Sequence, residues 1–279
     1  MHKDTKWAKQ IIALQDDEGK WGCFHSLSQF YNSPITTEQA LRRLERLGYT
    51  IEDECIQKAV QYMDDCLTGK KSLPDRAEKV HDWNIFTQMI LATWIRRFTL
   101  DNSNANKIAN QWADVISYAF SSGEYNDQKY VNYYHKIWGM KPGGGRLIDF
   151  MNFYPISMLC DCLDSNIENA FVNYAINKEN GIYYVYDKQI LSPPLNFQSR
   201  EASRYIGAIE LLSEYKHSKH QLRFVVDWLE SNQLPNRQWD MSKVTNDKVY
   251  FPLSDNWRKK DIRIKDCSER INNLIDRLR

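Results

Sequence analysis

Few positions in this 279-residue sequence have the residue types and spacing that chemistry needs. His81-Asp82 sets an imidazole beside a carboxylate at a helix start, where the positive end of the dipole suits an acid. Neighbours on a helix diverge by about 100°, so capping by Asp82 and packing by His81 is a plainer reading than an acid–base couple. Gly143-Gly144-Gly145 invites a phosphate-loop reading. No Gly-Lys-Ser/Thr follows and no strand precedes it, which leaves a tight turn. The six cysteines (23, 55, 66, 160, 162 and 267) include no Cys-x-x-Cys pair and are too sparse for a disulfide framework. Cys160 and Cys162, two apart on a helix, point in different directions, so a shared metal is disfavoured. The expectation is reduced core thiols, no metal site and no cofactor.

The elements that would position such residues are helices. From Thr36, Gln39 completes a capping box, Ala40, Leu41, Leu44 and Leu47 form one stripe, and Gly48 ends the run. A second run starts at Thr50 and Asp53, carries Cys55, Ile56, Ala59, Val60, Met63 and Leu67, and stops at Gly69. Together they predict an antiparallel helical hairpin. Similar runs cover 7–14, 81–98, 104–121, 127–138, 147–163, 167–176, 199–215, 219–231 and 261–278. That gives about eleven helices, with no sustained two-residue alternation to demand a sheet. Three longer loops, 15–35, 177–198 and 233–260, hold aromatics rather than Gly/Ser linker. A single domain over 1–279 is expected.

Composition narrows the partners. Lysine plus arginine number 37 against 36 acids, so no net field draws the surface to nucleic acid or anionic lipid. The apolar stretch 89–95 is far shorter than the ~20 residues of a membrane span and runs into Arg96-Arg97. The start of the sequence is amphipathic and lacks the apolar core of an export signal. A cytoplasmic protein without a membrane span, and without nucleic acid as partner, is expected.

The loops expose an internal repeat. Gln15, Gly19, Ala40 and Arg42 recur at one common offset as Asn177, Gly181, Ala202 and Arg204, and a weaker copy runs from Gln233 to Trp239 without the glycine. Repeated hairpins form either an open solenoid or a closed ring, because one hairpin cannot bury both its faces. Trp7, Ile11 and Leu14 start the chain apolar, where a solenoid needs a polar cap. The expected fold is therefore all-α, an α/α toroid of antiparallel hairpins.

Gln15-Asp16-Asp17-Glu18-Gly19-Lys20-Trp21 reads Gln-x-x-x-Gly-x-Trp and resembles the QW motif of terpenoid cyclases and protein prenyltransferase β subunits. The relatives at 177–183 and 233–239 spread the resemblance over most of the chain. The motif suits a structural job: the amide satisfies backbone at a helix end, the glycine permits a turn, and the indole covers the joint.

The chemistry that the resemblance implies is incomplete here. Class II cyclases start from Asp-x-Asp-Asp, which is absent; Glu52-Asp53-Glu54 and Asp64-Asp65 fall on polar helix faces. Prenyltransferases bind zinc through Asp-x-Cys and a distant His. Asp64-Asp65-Cys66 matches by type but ends an outward-looking helix, and Asp149-Phe150-Met151, at the expected place, lacks the cysteine.

In that superfamily ligands gather where inner helices begin. The resemblance thus implies ligand-binding candidates His25, Glu38 and Arg42 in the first unit, Arg146, Asp149 and Tyr154 after the triple glycine, and Arg200, Glu201 and Arg204 in the repeat. Converging Arg42, Arg146 and Arg204 could hold a diphosphate or carboxylate. Alternatively Arg42 and Arg204 pair with nearby carboxylates and join helices. No catalytic residue is assigned. Three readings stay open: a cyclase- or prenyltransferase-like protein holding an apolar or diphosphate-bearing small molecule in a central aromatic cavity; a non-catalytic interaction module; and a carbohydrate-processing helical barrel using Asp149 with Glu201 or Glu38.

Overall fold

The computed structural model describes residues 2–25, 33–140 and 146–279, and the triple glycine Gly143-Gly144-Gly145 lies outside them. The described chain is all-helical. Its twelve α-helices are α1 (Lys6–Ile12), α2 (Thr37–Arg46), α3 (Glu54–Leu67), α4 (Trp83–Phe98), α5 (Ser103–Ala119), α6 (Asp127–Ile137), α7 (Phe153–Met158), α8 (Ser165–Asn177), α9 (Arg200–Leu212), α10 (Ser218–Gln221), α11 (Arg223–Ser231) and α12 (Lys260–Leu278). A 3-10 turn at Lys243–Thr245 and two isolated β-bridges are the other regular features, and no described helix is long and apolar enough to cross a membrane.

The described residues form two compact units, Met1–Gln111 with Trp138–Ile148 and Trp112–Ile137 with Asp149–Arg279. In the first unit α3 packs on α4 and α1 on α2. In the second, α12 packs against α10 and α11, α10 also against α8, and α7 against α9. None of the six cysteines is in a disulfide.

Local chemistry explains the helix ends. Thr36 and Gln39 make the capping box reciprocally, and Asp82 caps α4 through the Ile85 N–H at 3.1 Å. Two expected helices are cut short. The run 147–163 forms only the short α7. The Asp149 carboxylate accepts the Met151 N–H at 2.8 Å and the Asn152 side chain accepts the Tyr154 N–H at 2.9 Å. The backbone of Met151 and Phe153 pairs with Tyr183 at 3.0 and 3.1 Å. Asp and Asn side chains that bond locally offer the backbone an alternative to helix, and here they win. The run 219–231 is divided at Leu222, which is fully buried with φ −98° and ψ 6° between α10 and α11.

The Trp21 corner does the bracing job read from its sequence. The Trp21 indole is fully buried and donates Nε1–H to the Ile11 carbonyl at 2.7 Å, while its backbone N–H donates to the Thr37 hydroxyl at 2.9 Å. Gln15 Nε2 donates to the carbonyls of Gly19 and Cys55 at 2.9 and 2.8 Å, joining the start of α3 to the end of α1. Gly19 has φ +94°, and a Cβ there would lie 2.4 Å from the Lys58 carbonyl oxygen. No other residue fits that turn without strain.

The copy at 233–239 repeats this geometry without a glycine. Trp239 donates Nε1–H to the Leu229 carbonyl at 2.7 Å, again ten residues earlier, and its backbone N–H to the Ser268 hydroxyl at 3.0 Å. Arg237 takes the place of Gly19 with φ +61°.

Candidate functional site

Of the nine candidate ligand residues, the structure joins His25, Glu38 and Arg42 into one row in the first unit. Glu38 stands in the first turn of α2, where its charge suits the helix dipole, and is 7% exposed. One carboxylate oxygen meets Arg42 Nη2 at 2.8 Å and the other meets His25 Nδ1 at 2.9 Å. A buried carboxylate persists only when paired in this way. Arg42 also lies 5.8 Å from the Trp94 ring centre. His25 is fixed from behind: the N–H groups of Phe24 and His25 donate to the two oxygens of Asp75 at 2.6 and 2.8 Å.

Phe86, in the first turns of α4, forms the wall. The His25 ring meets it edge-on at 5.3 Å, the His81 ring stacks on it at 5.1 Å, and Trp83 lies at 5.9 Å. The two imidazoles sit in opposite electrostatic settings. Burial alone would push the His25 pKa down, but the hydrogen bond and charge of Glu38, with Glu78 and Asp75, outweigh it and raise it above the usual histidine value. His81 is pushed down by burial; Glu78 opposes this, and the neighbouring charge of His25 adds to it. His81 Nδ1 is buried and has no hydrogen-bond partner among the described residues. One fold corner thus holds two imidazoles on the same aromatic ring whose pKa values are shifted in opposite directions.

The other six candidates are placed differently. Arg146 is exposed; its carbonyl accepts the Asp82 N–H at 3.4 Å. Asp149 is 62% exposed at its side chain and pairs with Lys178 at 3.2 Å. Tyr154 is buried against Phe153 and Tyr184. Arg200 is exposed, bonding the Val244 carbonyl at 3.0 Å, and Glu201 pairs with Lys188 at 2.8 Å. Arg204 is exposed without a recorded bond among the described residues.

Arg42 and Arg204 therefore differ despite the repeat, and the reason is legible one turn back. The residue four before Arg42 is Glu38; the residue four before Arg204 is Arg200. Opposite charges at that spacing pair, and like charges repel, so both arginines of α9 turn to solvent. The helix-joining task falls instead to Arg270 of α12, whose guanidinium grips Glu210 of α9 at 2.7 and 2.9 Å and both oxygens of Ser203 at 3.0 Å. Arg263 grips Asp240 in the same two-pronged manner at 2.7 and 2.8 Å.

Sequence reading missed Asp75, Glu78 and Phe86 and favoured packing for His81 over an acid–base couple with Asp82. A loop acid bonding two consecutive N–H groups 50 residues away leaves no local signal. Asp64, a possible zinc ligand by type, accepts from the Asn102 and Asn104 side chains at 2.9 and 2.8 Å. Among the described residues no three His, Cys, Asp or Glu side chains are grouped to hold a metal ion.

No family model, curated protein or solved structure matches the chain.

Proposed function

We propose that this protein binds a small, mainly apolar molecule at the Phe86 corner of its first unit. The observation that carries this reading is the pair of imidazoles, His25 and His81, packed on one phenyl ring with their pKa values shifted in opposite directions. Such divergence between neighbouring titratable groups clusters at functional sites. Half-buried Trp83 adds apolar surface beside them.

The reading keeps the apolar-ligand half of what resemblance to terpenoid cyclases and prenyltransferases implies. The diphosphate half has less support, because Arg42 is paired with Glu38, while Arg146, Arg200 and Arg204 are exposed. The toroid belongs to the same proposal. Two Trp corners of matching geometry support it, and solution X-ray scattering tests it: an extended superhelix would sink the closed ring.

Binding is tested by thermal shift with geraniol and farnesol. Stabilisation of the wild type that is lost in Trp83→Ala supports the site. An unchanged melting temperature with both alcohols, together with native mass spectra free of any retained small molecule, overturns it.

A further inference from the structure

Tyr183 and Tyr184 form the tip of a tight turn in the second unit, where they are 60% and 41% exposed. The Val185 N–H closes the turn on the Ile182 carbonyl at 3.1 Å, and the backbones of Ile182 and Tyr186 pair at 2.7 and 2.9 Å. Tyr183 is also tied to Met151 and Phe153 through its backbone at 3.0 and 3.1 Å. The tip is therefore rigid and its rings stand outward. Tyr184, at the third position, has φ +69°, which glycine or asparagine ordinarily supplies. A bulky residue there is strained, and at this exposure it recovers little of the cost through burial. Strain of this kind gathers where a backbone holds a contact surface for a ligand.

The charge around the tip has one sign to spare. Lys178 pairs with Asp149 at 3.2 Å and Lys188 with Glu201 at 2.8 Å. Arg200 is turned to the Val244 carbonyl. Glu179 and Asp187, on the two arms of the turn, are exposed and have no recorded hydrogen bond or ion pair among the described residues. The arms lie side by side, because a Cβ at Gly181 would meet the Tyr186 and Lys188 carbonyl oxygens at 2.3 Å. A nucleic-acid strand is repelled by such a surface, and a second copy of the turn would set acid against acid. The Tyr183 and Tyr184 ring centres are 4.1 Å apart, which leaves no slot between them for a prolyl ring. A planar cation satisfies both features, stacking on an exposed phenol face while its N–H groups meet a carboxylate.

We propose that the Tyr183–Tyr184 turn is a docking surface for an arginine-bearing segment of a protein partner. It stands apart from the Phe86 corner, which belongs to the first unit, and neither reading depends on the other. Capped octapeptides of alternating glycine and arginine, glycine and lysine, or glycine and citrulline, titrated calorimetrically into the full chain, separate stacking from charge. The arginine peptide binds most tightly, the lysine peptide at least about threefold more weakly, and the citrulline peptide, planar but uncharged, weakest. Tyr183→Ala weakens arginine-peptide binding by about tenfold, the scale of one lost cation–π contact, as does Glu179→Gln combined with Asp187→Asn. Tyr184→Gly weakens it similarly while raising the melting temperature, because glycine relieves the positive φ.

Equal binding of the lysine and arginine peptides, or arginine-peptide binding unchanged in Tyr183→Ala, overturns the proposal. So does tighter binding of cellohexaose or hexathymidylate than of the arginine peptide, which would make the turn a glycan or nucleic-acid platform.

Discussion

The corners at Trp21 and Tyr183 descend from the same sequence pattern and end in opposite states. Both carry a glycine with positive φ whose N–H bonds the carbonyl three residues back, Gly19 to Asp16 at 3.0 Å and Gly181 to Lys178 at 3.1 Å. Beyond the turn they part. Trp21 is fully buried and bonded to the preceding helix, whereas Tyr183 is 60% exposed and meets the Tyr184 ring at a tilt. Gln15 reaches Gly19 and Cys55; Asn177, one methylene shorter, bonds back to Asn173 of its own helix at 2.8 Å. Trp239 joins the first corner's class although its turn residue is Arg237. The joint is thus made by the indole and its long reach to the carbonyl ten residues earlier, and the glycine only makes the turn.

This comparison fails or sharpens on a graded set of substitutions. The largest effects are expected at the indoles. Trp21→Ala and Trp239→Ala each lower unfolding stability by about 3–5 kcal/mol in denaturant titrations, the range for emptying a buried aromatic site. Tyr183→Ala changes it by less than about 0.5 kcal/mol, as for an exposed side chain. A loss at Tyr183 equal to that at Trp21 would end the distinction between closed and open corners.

Next come the turns. Gly19→Ala costs about 1–3 kcal/mol, from positive φ and collision with the Lys58 carbonyl. Arg237→Gly shifts stability by less than about 1 kcal/mol, because relief of positive φ is offset by a freer unfolded chain.

A smaller effect follows pH. His25 has a raised folded pKa, so its contribution to stability is complete below the unfolded value of about 6.5 and is lost as pH rises through the higher folded value. His81, with a lowered folded pKa, acts the other way: its contribution is present above about 6.5 and lost as pH falls through the folded value. Glu38→Gln removes the hydrogen bond and charge that hold His25 up. Denaturation midpoints between pH 5 and 8, about the histidine range, then lose the His25 component. An unchanged midpoint profile in that variant would show that Glu38 does not control His25.

The smallest effect tests the two arginines of α9. Arg204→Glu turns the repulsive spacing with Arg200 into an attractive one and stabilises by about 0.2–0.5 kcal/mol at low salt. The gain fades as salt rises. Destabilisation instead would mean that Arg204 has a partner that its exposure hides.

The amino-acid pattern alone determined the helical class, most helix positions, the capping box at Thr36 and the bracing role of Trp21. These depend on residues within one or two turns of each other, where side-chain spacing and backbone bonding are local. His25, Glu38 and Arg42 came from the family resemblance, as three of nine candidates, two of them four residues apart on one helix face. Only the tertiary structure decided that Asp75 holds His25 from 50 residues away, that His81 shares Phe86 with it, and that Arg270 ties α12 to α9. Those contacts join distant segments, and a pairing between distant segments is set by how the chain folds back on itself, which no local spacing records.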